Sequence, residues 1–190
     1  MQLIFATNNK HKLEEVRHRL PNYKILGTQD IGCFEDIAET GSTFEENAEI
    51  KAQYILTHYG YSCFADDSGL VVEALNGEPG VYSARYSGEH NNVEANINKL
   101  LTKLRGISNR KAKFVTVICL LMDGKKYFFR GEIHGTITTK KKGVEGFGYD
   151  PVFLPDGYTK TFAELSMDEK NKVSHRALAI QKMVTRLTFN

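Results

Sequence analysis

The apolar positions of this chain change period along its length, and each change marks an element. "QLIFAT", near the start, is a short continuous apolar run of the kind a buried strand shows. It gives way to "NNKHKLEEVRHRL", where Leu13, Val16 and Leu20 recur at helical spacing behind asparagines suited to cap a helix start. "STFEENAEIKAQYILTHYG" predicts a second helix. Thr43 and Glu46 stand at capping-box spacing, Phe44, Ala48, Ala52, Ile55 and Tyr59 form one stripe, and Gly60 ends it. "NNVEANINKLLTKL" predicts a third, with Val93, Ile97, Leu100, Leu101 and Leu104 on its apolar face.

"KFVTVICLLMDGKKYFFRGEIHG" reads as two long strands joined at Asp123-Gly124, a dipeptide that supplies the positive φ angles of a tight hairpin. An antiparallel pair of this kind argues against a purely parallel doubly wound sheet. "SMDEKNKVSHRALAIQKMVTRL" closes the chain, with Ser166 and Glu169 as a second capping box and Ala177, Ile180, Val184 and Leu187 at helical spacing. Two readings of this stretch stay open. In one unbroken helix, His175 points roughly 200° away from Val173, with Lys170 and Arg176 flanking that residue. If Ser174 instead caps a separate final helix, Lys170, His175 and Arg176 can converge. Strand and helix patterns alternate with no repeat, low-complexity block or linker, so the expected fold is α/β in one domain spanning residues 1–190.

Composition narrows the partners. A chain of 190 residues with 41% hydrophobic and 25% charged residues buries roughly 70% of its unfolded surface and needs no staples. A net charge of +2 gives no basic field over the whole protein, so neither nucleic acid nor a membrane is expected as a partner, and any anion site must be local. Cys33, Cys63 and Cys119 are odd in number, far apart and without a Cys-x-x-Cys pair, which fits a reduced cytoplasm. The apolar stretch before Thr7 is too short for a signal peptide, and no run reaches about 18 apolar residues.

The candidate chemistry begins at "FADDSG". A strand that ends on Asp66-Asp67 before a Ser68-Gly69 turn offers hard oxygen ligands for Mg²⁺ and a base to activate water. A surface turn with no further task is the plainer alternative. "ATNNKHK" places Lys10 and Lys12 at a helix start, where backbone N–H groups meet phosphate oxygens; a capped helix with a solvated basic end explains it equally. The spacing is neither that of a P-loop nor that of a dinucleotide fold. Lys51 lies on the apolar stripe of the second helix, either snorkelling or reaching a phosphate. In "GVEGFGYDPVF", glycines let backbone approach a flat ligand, Phe147 or Tyr149 can stack on a base and Asp150 can accept hydrogen bonds, against the alternative of a flexible loop. Lys170, His175 and Arg176 are donors for a nucleobase carbonyl or a phosphate, or simply a charged helix face. Glu39, Glu45 or Glu46 could complete a metal site with Asp67, Glu46 being a candidate for capping instead.

Taken in order over nearly the whole chain, "ATNNKHKLEEV", "ETGSTFEENAEIKA", "ADDSGLVVEALNGEPGVYSARYSG", "FGYDPVF" and "ELSMDEKNKVSHR" resemble the inosine triphosphate pyrophosphatase family. The resemblance implies hydrolysis of non-standard purine nucleoside triphosphates (ITP, dITP, XTP) to the monophosphate and pyrophosphate, with Mg²⁺ required. It also implies an elongated mixed sheet flanked by helices, two lobes around a central nucleotide cleft, and a homodimer. Carried over by motif, phosphate binding falls on Thr7, Asn8, Asn9, Lys10, His11 and Lys12, and the proton acceptor and metal ligand on Asp67. Ser68 becomes a substrate contact, Glu39 the second metal ligand, and Lys51 a further phosphate lysine. Base recognition falls on Phe147, Gly148, Tyr149 and Asp150, with Lys170, His175 and Arg176. Relatives commonly have Thr-Gly-Asn where this chain has Thr7-Asn8-Asn9; asparagine tolerates left-handed backbone, so the turn is expected to be kept. Two rivals remain: the septum-inhibitor-like pyrophosphatases, against which "FGYDPVF" and "SHR" argue, and a nucleotide-sensing module without catalysis, against which Asp67 argues.

Overall fold

A computed structural model describes residues 2–89 and 92–188. Its strands are β1 (Gln2–Phe5), β2 (Lys24–Leu26), β3 (Cys63–Val72), β4 (Lys111–Met122), β5 (Lys125–Ile137) and β6 (Phe153–Pro155). Its α-helices are α1 (Lys10–Arg19), α2 (Phe44–Tyr59), α3 (Val93–Lys103), α4 (Met167–Val173) and α5 (His175–Thr188). The six strands form one sheet in the order β2-β1-β3-β4-β5-β6. It is mixed, as expected: β1 runs parallel to β2 and β3, with Leu3 opposite Ile25 and Phe5 opposite Phe64, while β5 and β6 are antiparallel. Asp123 and Gly124 turn the β4–β5 hairpin with φ of 52° and 69°, the left-handed pair that matches the twist of the flanking strands.

Local signals explain most boundaries. Asn9 caps α1 by accepting from the Lys12 N–H, and Gly60 ends α2 in left-handed backbone, its N–H returning to Leu56. Thr43 caps α2 through the Glu46 N–H, but the Glu46 carboxylate turns back to the N–H and hydroxyl of Ser42, one residue earlier than a capping box requires. At Ser166 and Glu169 the box closes in both directions. Ser174 then takes extended backbone and breaks the helix, which decides the open question at the C-terminal end in favour of two helices. The third helix is described from Asn92, its cap, because Asn91 lies outside the described residues; Ile97, Leu100 and Leu104 are buried, whereas Val93 is 41% exposed and Leu101 half-buried.

The expected turn at Ser68-Gly69 does not form. β3 continues through Asp66, Asp67, Ser68 and Gly69 to Val72, because the apolar run Leu70-Val71-Val72 is drawn into the sheet and tertiary pairing overrides the turn preference of Asp, Ser and Gly.

The chain divides into two compact units: one of residues up to Asp67, Thr116–Gly131 and those from Arg176, the other of Ser68–Val115 and Glu132–His175. The first holds two cores. Phe5, Phe64, Ile118 and Leu120 pack with Val16 of α1 and Ala179, Ile180 and Met183 of α5. Ile4, Cys63, Ala65 and Cys119 pack with Ala48, Ala52 and Ile55 of α2. The second unit has one core, built on Leu70, Val72, Leu100, Phe114, Phe153 and Phe162. All three cysteines are free and buried, and among the described residues no helix is long and apolar enough to cross a membrane.

Candidate active site

In the first unit, strand alternation sorts the two aspartates. Side chains along a strand point to opposite faces with period two, so Asp66 shares a face with Phe64 and Asp67 shares one with Cys63 and Ala65. Phe64 packs against α1 and α5, and those helices supply the partners of Asp66. Lys12 Nζ donates to Asp66 Oδ1 at 3.0 Å and Arg176 Nε to Oδ2 at 3.3 Å, while Arg176 Nη1 reaches Glu15 of α1. Asp66 is 1% exposed and Arg176 2%. Burial would lower the proton affinity of Arg176, but the charges of Glu15 and Asp66 outweigh it and hold the guanidinium above its ordinary value. Lys12 goes the other way: burial and the neighbouring charges of Lys51 and Arg176 lower it, against the pull of Asp66.

Asp67 faces α2. Asn47 Nδ2 donates to Asp67 Oδ2 at 3.0 Å, and one turn further along the helix Lys51 Nζ is paired with Glu39. Burial pushes the Asp67 carboxyl above its ordinary range and the charge of Glu39 adds to this, outweighing Lys51, Lys12 and the Asn47 bond. Burial lowers Lys51, yet Glu39, Asp67 and Asp66 together hold it above its usual value. Glu15, Glu39, Asp66 and Asp67 thus stand among Lys12, Lys51 and Arg176, acid and base interleaved. Glu45 and Glu46 are engaged elsewhere, with Arg130 at 2.9 Å and with Ser42.

Carboxylate oxygens suit a hard cation. Mg²⁺ ordinarily takes one or two carboxylates from a protein and fills its octahedron with water and substrate phosphate. Asp67 and Glu39 are donors of that kind, and among the described residues no group of three or more His, Cys, Asp or Glu gathers as a closed metal cage.

The segment before α1 is held from below. Thr7 Oγ1 accepts from the Asn9 N–H at 3.2 Å, and Thr28 Oγ1 donates to Thr7 O and to Asn8 Oδ1. Asn8 Nδ2 donates to Glu35 O at 3.2 Å, and Glu35 in turn accepts from the Tyr59 hydroxyl. Asn8 makes no use of left-handed backbone; Asn76 and Asp123 are the non-glycine residues with positive φ among those described. Lys10 and His11 are exposed on the first turn of α1.

The second unit collects the loop residues. Lys170 Nζ lies 2.7 Å from Asp150 Oδ2, both side chains almost fully buried, and 4.7 Å from the centroid of the half-buried Phe147 ring. Asp150 also accepts from the Phe147 N–H at 2.9 Å. Gly146 is required here: it has φ of 76°, and a Cβ would sit 2.1 Å from Asp150 Oδ2. Gly148 is left-handed as well, with open space around it. His175 stacks on Phe114 at 4.7 Å between centroids and lies over Phe162, the ring that Lys170 also approaches. Tyr149 does not present its ring as a stacking surface. It is 4% exposed, its hydroxyl donates to Ser83 O at 2.9 Å, and burial raises its proton affinity. Ser68, half-buried, begins this unit directly after Asp67.

With the geometry established, similarity decides the family. The Ham1 family model matches residues 3–186. This chain belongs to the Ham1 family. It is 53% identical over 189 residues to the dITP/XTP pyrophosphatase of Flavobacterium johnsoniae, covering 99% of this chain and 98% of that one. Its fold matches the Ham1 protein of Staphylococcus aureus with a TM-score of 0.90 at 43% identity, over 99% and 98% of the two chains. A HAM1 protein from Coxiella burnetii superposes with a TM-score of 0.91 at 38% identity over the full length of both.

Within this Ham1 chain the residues singled out by sequence divide as follows. Lys12, Glu39, Lys51, Asp67 and Arg176 come together in the first unit, and Phe147, Asp150, Lys170 and His175 in the second. Beyond the helix break, the Arg176 guanidinium is engaged with Glu15 and Asp66. Asn47, Glu15 and Thr28 escaped the sequence reading. Asn47 had a signal, a polar side chain at i+3 from Phe44 and i−4 from Lys51 on an otherwise apolar stripe. Glu15 and Thr28 had none, since their partners lie 161 and about 20 residues away in sequence.

Proposed function

We propose that this chain hydrolyses dITP, XTP and ITP to the monophosphate and pyrophosphate, with Mg²⁺ as cofactor. The observation that carries the reading is Asp67, a buried carboxylate of raised proton affinity set among Lys12, Lys51 and Glu39. The Flavobacterium johnsoniae relative is named for the dITP and XTP reactions.

Asp67 and Glu39 would hold the metal, which when bound offsets phosphate charge and makes a coordinated water more acidic. An ordinary aspartate, with a pKa near 3.9, is a weak base at neutral pH; burial brings Asp67 closer to the working range, and it takes the proton of the attacking water. Lys51, held charged by its acidic neighbours, and Lys12 supply positive charge for the departing pyrophosphate. Thr7 to Lys12 present the N-terminal N–H groups of α1 to phosphate oxygens, with Lys10 and His11 at its exposed edge and Ser68 as a further contact.

Base selection belongs to the second unit. Phe147 offers a ring face, Gly148 lets backbone approach, and the buried Lys170–Asp150 pair with His175 reads the purine edge. Hypoxanthine and xanthine carry a carbonyl at C6 where adenine carries an amino group, so protein donors are satisfied by the former and opposed by the latter. Tyr149 and Arg176 act at one remove, Tyr149 by fixing Ser83 and Arg176 by fixing Asp66. The same reading includes a homodimer, a cytoplasmic location and one functional domain over residues 1–190.

Pyrophosphate release tests the reading. XTP, dITP and ITP should each yield pyrophosphate with Mg²⁺ and none with excess EDTA, with kcat/KM for ATP lower by at least about 100-fold. Binding without product, or equal use of ATP, would overturn it.

A further inference from the structure

The two proposed metal ligands lie on different segments, Asp67 inside β3 and Glu39 in the loop before α2, and a metal pair works only if their separation is fixed. One side chain touches both arrangements. Asn47 is fully buried; its Nδ2 donates to Asp67 Oδ2 at 3.0 Å, and its Oδ1 accepts from the N–H of Gly41 at 2.8 Å. Gly41 stands two residues beyond Glu39, and Glu39 itself is tied to Lys51, one helical turn after Asn47.

The amide is the chemistry this place demands. A backbone N–H can only donate and an ionised carboxylate can only accept, so the residue between them must accept on one side and donate on the other. Aspartate would meet Asp67 acceptor to acceptor, and an apolar residue would take both bonds away from buried groups. Gly41 makes the approach possible. A Cβ there would lie 2.6 Å from Glu46 Cβ, 2.8 Å from Asn47 Oδ1 and 3.0 Å from Asn47 N, so any side chain pushes the loop off the helix.

We propose that Asn47 is a positioning residue that sets the spacing of Asp67 and Glu39 and so tunes the affinity for a divalent cation, with Gly41 as the contact that lets the loop reach it. This rests on the reading of Asp67 and Glu39 as the metal pair. Outer partners that orient metal ligands are worth about 10- to 100-fold in affinity.

The test is Mn²⁺ binding to the whole protein without nucleotide, followed by calorimetry and by the signal of free Mn²⁺ in electron paramagnetic resonance. Asn47→Ala and Gly41→Ala should each weaken binding about 10- to 100-fold while retaining the wild-type circular dichroism spectrum, and their kcat should recover as metal is raised. Gly41→Ala leaves the Asn47 side chain in the protein and serves if Asn47→Ala does not fold. Mn²⁺ affinity within about twofold of wild type in either folded variant overturns the inference alone. A wild-type protein that binds no Mn²⁺ overturns the metal reading and the inference with it.

Discussion

The two faces of β3 at Asp66 and Asp67 solve one problem in different ways. Both bury a carboxylate, at 1% and 5% exposure, one residue apart. On the α1/α5 face Asp66 meets two cations directly, and the Arg176 guanidinium is shared with Glu15, so each charge has a counter-charge in contact. On the α2 face the cation nearest in the chemistry, Lys51, is paired with Glu39, and Asp67 receives a neutral amide. A buried charge that is paired stabilises a structure only through the partners it keeps; where burial outweighs the pull of the cations nearby, as at Asp67, the proton affinity rises. The first face ties its charges to one another, and the second is the face that the proposed function gives to the ligand.

That contrast can be broken from either side. Asp67→Asn should lower kcat by about 100- to 10,000-fold, the range for loss of a general base, with a smaller change in substrate binding; pyrophosphate release under saturating XTP measures both. Arg176→Met strips Asp66 and Glu15 of their shared cation and should cost on the order of 3–5 kcal/mol in urea unfolding, with activity falling because folded protein is lost. The Thr43→Ala change removes the N-cap that starts α2 under Asn47 and should cost about 1 kcal/mol by the same method.

A pH titration sharpens the contrast. Asp67 in the native state holds its proton above the ordinary 3.8, so turnover should fall as pH drops through that raised value, earlier than an ordinary aspartate allows. Stability runs in the opposite sense. Between the raised value and 3.8 the native state binds a proton that the unfolded chain releases, so this group adds stability as pH falls through that window. Asp67→Asn should erase that component of the slope in a series of urea melts.

Much of this was legible in the sequence, and the failures share one cause. Local rules placed the helix stripes, the Asp123-Gly124 hairpin and the Ser166–Glu169 box, because each depends on residues within a turn of one another. The same local logic misread Ser68-Gly69 as a turn, since Asp, Ser and Gly favour turns until pairing within a sheet claims them. It also offered Tyr149 as a stacking ring, blind to Ser83 sixty-six positions away. The division of labour between Asp66 and Asp67 sat between these extremes. Period two gives them opposite faces, but naming the partners required knowing that α1 and α5 cover one face and α2 the other.

The most direct measurement is the unfolding free energy of Asp66→Asn beside that of Asp67→Asn at neutral pH. The account predicts a loss on the order of 3 kcal/mol for Asp66→Asn, which takes from Lys12 the carboxylate it contacts and leaves Arg176 with Glu15 as its remaining ion pair, and no loss for Asp67→Asn. Equal losses, or the larger loss at Asp67, would contradict it.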